Sequence, residues 1–269
     1  ENCYFIDKTA FIADIIDETP ATEVTLLTRP RRFGKSTNLS MLSYFFSLKD
    51  AAENRKLFRG LNIERMDGAY MEKQGKFPVI FMSFKNIQLE TFDLLLQRFA
   101  STLSDLFAQH MYILESSDIA AHEKSFFTAI LQKKGSQEDL GRALLFLTKM
   151  LHMVFKKKVI VLLDEYDVPV DASWKYGYYE RCICFIRDLL GSCLKSNIFL
   201  EFSVITGVMR ISKESIFSGL NNIKVYSVLH TKYSRYFGFT EDEVVRIMND
   251  FDAIDKFEEL KELYDGYLF

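Results

Sequence analysis

An α/β fold with one parallel sheet of about five strands, layered between helices, is what this sequence predicts, on three observations. Five short apolar runs have strand character, at 23–28, 78–84, 159–163, 199–205 and 224–228. Segments of helical period separate them, as crossovers between parallel strands require. The run at 159–163 (VIVLL) is apolar at every position, the pattern of a strand covered on both faces.

In chain order, Phe11, Ile12, Ile15 and Ile16 share one face of a helix over 8–16. Glu23 to Thr28 (EVTLLT) feeds a loop, Arg29 to Gly34. A helix then starts at Lys35 and turns Leu39, Leu42, Phe45 and Phe46 inward. Pro78 to Phe84 opens on a proline, which a strand tolerates at its first position. From Leu89 to about Phe155 the apolar residues recur every three and four, with Gly135 as punctuation, so 89–155 reads as a mainly helical insertion. Within it Phe99, Leu103 and Phe107, spaced by four, read as core. A further helix is expected from Trp174 to about Ser196. Beyond Phe239 the pattern turns helical again, and Thr240 and Glu243 have capping-box spacing. The expected organisation is a core over 1–239 and, over 240–269, the start of a helical lid or a linker.

Composition narrows the class. Of 269 residues, 48% are hydrophobic and only 12 are Gly and 4 Pro, which excludes a disordered or collagen-like chain. With 25 Phe and 13 Tyr, the core is expected to be rich in aromatic rings. A net charge of −3 gives no support to bulk attraction for nucleic acid or a membrane surface. No apolar run reaches the roughly 18 residues of a spanning helix. Cys3, Cys182, Cys184 and Cys193 show neither C-x-x-C spacing nor disulfide-framework density, and read as thiols of a reducing, cytoplasmic compartment. A first residue that is not Met, the lack of a secretory leader and an apolar end at Phe269 read as a fragment of a longer cytosolic protein. The Lys156-Lys157-Lys158 run, between a helix and a strand, reads as a solvated helix end favoured by the dipole.

Two motifs carry chemistry. Arg29-Pro-Arg-Arg-Phe-Gly34-Lys35-Ser36 matches the phosphate-binding pattern G-x-x-x-x-G-K-[ST] except that Arg29 stands where the first glycine would be. Gly34 allows the backbone to curl its N–H groups toward an anion, and the dipole of the following helix adds attraction. Lys35 can reach the outer phosphates, Ser36 can offer its hydroxyl to Mg²⁺, and Arg31 and Arg32 add positive charge. The cofactor-binding set is therefore Arg31, Arg32, Phe33, Gly34, Lys35, Ser36 and Thr37.

The second motif is Val159-Ile-Val-Leu-Leu-Asp164-Glu165-Tyr-Asp167. A buried strand ending in an acid sets a carboxylate at the carboxyl edge of the sheet, where open α/β sheets bind ligands. Asp164 is the expected metal-linked acid, with Ser36 its partner, and Glu165 the residue that orients and deprotonates a water. Thr206, at the end of a strand between the loop strand and the acid strand, is the candidate sensor of the γ-phosphate. Arg210 is a candidate for stabilising phosphate charge.

YFIDKT (Tyr4–Thr9), LLTRPRRFGKS (Leu26–Ser36), VLLDEYD (Val161–Asp167), TGVMRISKESIFSGLNN (Thr206–Asn222), FGFTEDEV (Phe237–Val244) and YDGY (Tyr264–Tyr267) follow one another in order. Together they resemble the AAA-ATPase-like domain family of anaerobic bacteria, over nearly the whole chain. The resemblance implies an AAA+-like P-loop NTPase three-layer sandwich of the class with an additional catalytic glutamate, with the loop strand not next to the acid strand. It implies ATP with Mg²⁺ as cofactors, phosphate and metal binding by Gly34, Lys35 and Ser36, Asp164 as the metal-linked acid and Glu165 as the base. It puts Tyr4, Phe5 and Asp7 toward the adenine, makes Arg29 a family trait, and carries an expectation of homo-oligomeric assembly. Relatives often carry a PD-(D/E)XK nuclease-like module after YDGY.

Mg²⁺-dependent ATP hydrolysis that drives or gates an attached effector is the expected function. The alternatives are a slow-turnover nucleotide switch regulating a C-terminal nuclease-like module, a P-loop kinase, and a DNA-processing machine that the near-neutral charge does not favour. Glu259-Leu260-Lys261 spells E-x-K, but its neighbours recur at helical spacing, whereas nuclease acids project from a strand. The four His are scattered and offer no zinc pattern, and no G-x-S-x-G elbow is present.

Overall fold

The computed structural model describes residues 4–19, 23–209, 211, 216–217 and 223–264. The chain opens with α1 (Ala10–Glu18) and β1 (Val24–Thr28), followed by α2 (Lys35–Phe46). Three short helices come next: α3 (Ala51–Lys56), α4 (Asn62–Arg65) and α5 (Gly68–Glu72). Then come β2 (Val79–Ser83) and the helices α6 (Phe92–Ala108), α7 (Ala121–Leu131) and α8 (Gln137–Phe155). They lead into β3 (Val159–Asp164), α9 (Val168–Lys175), α10 (Tyr179–Leu194), β4 (Leu200–Gly207) and β5 (Ile223–Tyr226). The last described elements are α11 (Glu241–Asp250) and α12 (Phe257–Tyr264).

The five strands form one sheet in the order β2-β3-β4-β1-β5, every pair parallel. Parallel pairing sends all five carboxyl ends to one edge. There β1 ends on Thr28, β3 on Asp164 and β4 on Gly207. The expectation that the loop strand is separated from the acid strand holds, because β4 lies between β1 and β3.

β3 is buried at all six positions because both faces are covered. Val159, Val161 and Leu163 face the larger core, with Phe99, Leu147 and Phe185 from α6, α8 and α10. Ile160 and Leu162 face a second core with Phe11, Leu39, Phe45 and Phe46 from α1 and α2. The sheet thus separates two apolar layers, the arrangement of a three-layer sandwich. Aromatic edges tighten both cores: Phe99 meets Phe185 at 4.9 Å and Phe46 meets Phe202 at 5.4 Å, each nearly T-shaped.

Several local expectations change. The helix expected from Trp174 is two helices, α9 and α10, because Gly177 takes φ 78 and breaks the path. The strand expected to stop at Ile205 continues through Gly207, so Thr206 sits inside the ladder, opposite Leu27 of β1. The short helices α3 to α5 follow no apolar period long enough to read. Other details hold. Thr240 Oγ1 accepts from Glu243 N, and Glu243 Oε2 accepts from Thr240 N at 2.9 Å, closing the capping box of α11. Cys182 is buried and Cys184 exposed on the same helix. Lys156 turns left-handed at the end of α8 and pairs with Asp118 at 3.0 Å. Glu259 and Lys261 lie in α12. Among the described residues no helix is long and apolar enough to cross a membrane.

Candidate functional site

The loop between β1 and α2 owes its course to two left-handed residues, Arg32 at φ 67 and Gly34 at φ 77. A Cβ on Gly34 would meet nothing within 4 Å, so glycine is favoured here by backbone conformation and not by crowding. The first helical hydrogen bond runs from Asn38 N to Gly34 O at 2.9 Å. The amides of Lys35, Ser36 and Thr37 therefore stand ahead of the helical ladder, at its positive end.

Arg29 explains how the loop dispenses with its first glycine. No left-handed conformation is needed at that position. Its side chain, only 3% exposed, turns away from the loop mouth. Nη1 donates to Thr28 O at 2.8 Å and Tyr226 O at 2.9 Å, and the guanidinium lies 5.1 Å from the centre of the Phe237 ring. Burial pulls its pKa down to about 10. Arg29 is thus a strut from the loop to β5 and the segment after it.

That segment grips the loop at further points. Asn38 Nδ2 donates to Tyr236 O at 2.8 Å, and Gly238 N donates to Phe33 O at 3.1 Å. A Cβ on Gly238 (φ 77) would press within 3.2 Å of the Phe33 ring.

Lys35 is buried, and its ammonium donates to Arg29 O at 2.9 Å and Pro30 O at 2.7 Å. Burial lowers its pKa, while the charges of Asp167, Glu165 and Asp164 oppose the shift. Three carboxylates and one ammonium therefore share this corner of the sheet edge. Arg31 and Arg32 are exposed, and neither makes a hydrogen bond or ion pair among the described residues.

The two motifs meet. Ser36 Oγ donates to Asp164 Oδ2 at 2.6 Å, and Thr206 Oγ1 donates to Asp164 Oδ1. Asp164 is 2% exposed and Thr206 1%, so both carboxylate oxygens are aligned by hydroxyls on neighbouring elements. Glu165 follows with φ 54, an uncommon conformation for a residue with a side chain. Its half-buried carboxylate takes no hydrogen bond or ion pair among the described residues. The site thus brings together Gly34, Lys35, Ser36, Asp164, Glu165 and Thr206. Arg210 lies outside the described residues.

Sequence reading assigned no part to Tyr166 or Asp167, which tie the end of β4 to this edge. The spelling of the motif marks them, but no spacing rule says where a loop carboxylate will turn. Asp7, expected near the adenine, has both oxygens engaged: Oδ1 accepts from Thr9 N and Oγ1, and Oδ2 from Asn62 N at 2.7 Å. Tyr4 bonds to Asp250 and packs on Phe251.

A Ser hydroxyl and an Asp carboxylate within 2.6 Å fit one Mg²⁺, which takes hard oxygen ligands and commonly borrows the rest from phosphates and water. Among the described residues no three His, Cys, Asp or Glu gather into a metal-binding group of their own.

Comparison with known proteins places the chain in a family. A protein called "Uncharacterized protein in vnfD 5'region", from Azotobacter chroococcum mcd 1, is 30% identical over 270 residues, covering 99% of this chain. The chain spans 45% of that relative's length. No solved structure matches. The family model described as "Predicted AAA-ATPase" matches residues 1–217, which include the loop, the acid strand and Thr206. The chain belongs to the AAA-ATPase-like family.

Proposed function

We propose that this chain binds ATP with Mg²⁺ at the carboxyl edge of its sheet and hydrolyses the β–γ phosphoanhydride. The observation that carries the reading is the Ser36–Asp164 hydrogen bond, which joins the phosphate loop to the acid strand in one coordination-sized space. Bound Mg²⁺ supplies charge neutralisation on the phosphate oxygens. Ser36 and Asp164 would hold it. The loop amides and Lys35 bind the triphosphate, with Lys35 exchanging its carbonyl partners for phosphate oxygens. Arg31 and Arg32 are free to add charge at the mouth of the loop.

Glu165 is the base of this reading. It accepts a proton from the attacking water as the new P–O bond forms, while the bond to the β-phosphate oxygen breaks and ADP leaves with the electron pair. Its unengaged carboxylate supports that role. Thr206 keeps Asp164 aligned. Phosphate release by wild type and Glu165→Gln tests the assignment, and equal nonzero rates would remove Glu165 as base. Titration with an ATP analogue tests the loop, and unchanged affinity in Lys35→Ala would remove it.

The grip of residues 236–238 on the loop favours a second reading, in which nucleotide occupancy switches an attached effector. Turnover far below the roughly 1–100 s⁻¹ usual for kinase-type phosphoryl transfer would select it.

A further inference from the structure

We propose that Tyr166 and Asp167 are positioning residues for this site, holding the end of β4 so that Thr206 stays against Asp164. The inference rests on the hydrolytic reading above.

Asp167 occupies the residue before α9, where an aspartate commonly caps its own helix. It makes no such cap. Its carboxylate turns to β4 instead, where Oδ2 accepts from Val208 N at 2.9 Å and Met209 N at 2.7 Å. Tyr166, fully buried, closes the same strand end from the other side. Its amide donates to Thr206 O at 3.1 Å, its hydroxyl donates to Met209 O at 3.0 Å, and it accepts from Ile211 N at 3.1 Å. Gly207 lies between them with no room for a side chain: a Cβ there would stand 2.6 Å from Tyr166 Cε1 and 2.7 Å from Asp167 Oδ1.

Five hydrogen bonds therefore hold Thr206, Val208, Met209 and Ile211 to the two residues after Glu165. Asp167 Oδ1 is buried without a hydrogen-bond partner. Burying an unsatisfied oxygen costs free energy, so the two amide bonds to Oδ2 are held against that cost. The same short stretch thus supplies the acid (Asp164), the base (Glu165) and the brace that sets their partner strand.

The test is steady-state hydrolysis and analogue binding by the full chain carrying Asp167→Ala, Asp167→Asn, Tyr166→Phe or Thr206→Val. Asp167→Ala is expected to lower kcat about 10- to 100-fold, the scale of a small misplacement at a reacting centre, with analogue affinity within about twofold of wild type. Asp167→Asn keeps an acceptor for the two amides and should restore most of that loss. Tyr166→Phe, which keeps the ring and the fold, should lower kcat without weakening binding. The double variant Asp167→Ala/Thr206→Val should fall no lower than Thr206→Val alone, because the brace acts through Thr206.

Wild-type kcat in Asp167→Ala and Tyr166→Phe, fully additive losses, or an Asn variant as poor as Ala would each overturn the proposal while leaving the hydrolytic reading standing. A wild-type chain that neither binds nor hydrolyses ATP would overturn both.

Discussion

Ser36 Oγ donates to Asp164 Oδ2 at 2.6 Å, joining the first turn of α2 to the end of β3 across 128 positions of sequence. Nothing local brings them together. They meet because β4 sets the spacing between β1 and β3, and because all the strands run the same way. Thr206, from the intervening strand, holds the other oxygen of the same carboxylate.

Ser36→Ala keeps Thr206 on Asp164 and removes only the loop's hydroxyl. Its expected cost in stability is small, about 0.5–1.5 kcal/mol. Its expected functional effect is larger: analogue affinity in the presence of Mg²⁺ falls about tenfold or more, and affinity without metal barely changes. Calorimetric titration with and without Mg²⁺ reads the difference.

Arg29→Gly restores the usual first residue of the loop and is nevertheless expected to destabilise the chain. It deletes the buried bonds to Thr28 O and Tyr226 O and the contact with Phe237. A loss of about 2–4 kcal/mol in urea unfolding follows from charged hydrogen bonds of this kind. Unchanged stability would show that the strut carries no load.

Gly207→Ala puts a methyl group within 2.6 Å of the Tyr166 ring. Overpacking of this sort costs about 1–3 kcal/mol. Hydrolysis should fall further than stability accounts for, because the strand end carrying Thr206 has to move. Activity measured well below the melting temperature separates the two effects.

Glu123 gives the fold an acid-labile point away from the site. Its own burial works against ionisation, but the Lys149 ammonium at 2.6 Å and the Ala120 amide outweigh it and hold its pKa below the usual glutamate value. A lowered carboxyl pKa adds stability that is fully present above the unfolded value and is lost as pH falls through the folded one. Glu123→Gln should therefore lower stability at pH 7 by about 1–3 kcal/mol. The gap to wild type should narrow as pH falls through the lowered pKa of the folded carboxylate, as thermal melts over an acid series would show.

The sheet was legible in the sequence because buried parallel strands must be short and apolar, as Val159 to Leu163 are. The candidate site was legible where backbone geometry restricts the residue type. Gly34 is needed for a left-handed turn, and Asp164 ends a buried strand. Other features left no such mark. Arg29 reads as a departure from a loop pattern until its side chain is seen under Phe237. Asp167 is spelled out in the motif without a role, and only the neighbouring strand shows where its carboxylate goes. Gly177 splits an apolar period that continues on both sides of it. The first two depend on contacts between distant segments and the third on a single left-handed residue, and periodicity records neither.

A crystal structure of the chain with Mg²⁺ and a slowly hydrolysed ATP analogue bears most directly on the site. The expected density puts the phosphates over the amides of Gly34 to Thr37, with one metal ion reached by both Ser36 Oγ and Asp164. Nucleotide bound with its phosphates away from Gly34, or metal bound without either of those two side chains, would contradict the assignment.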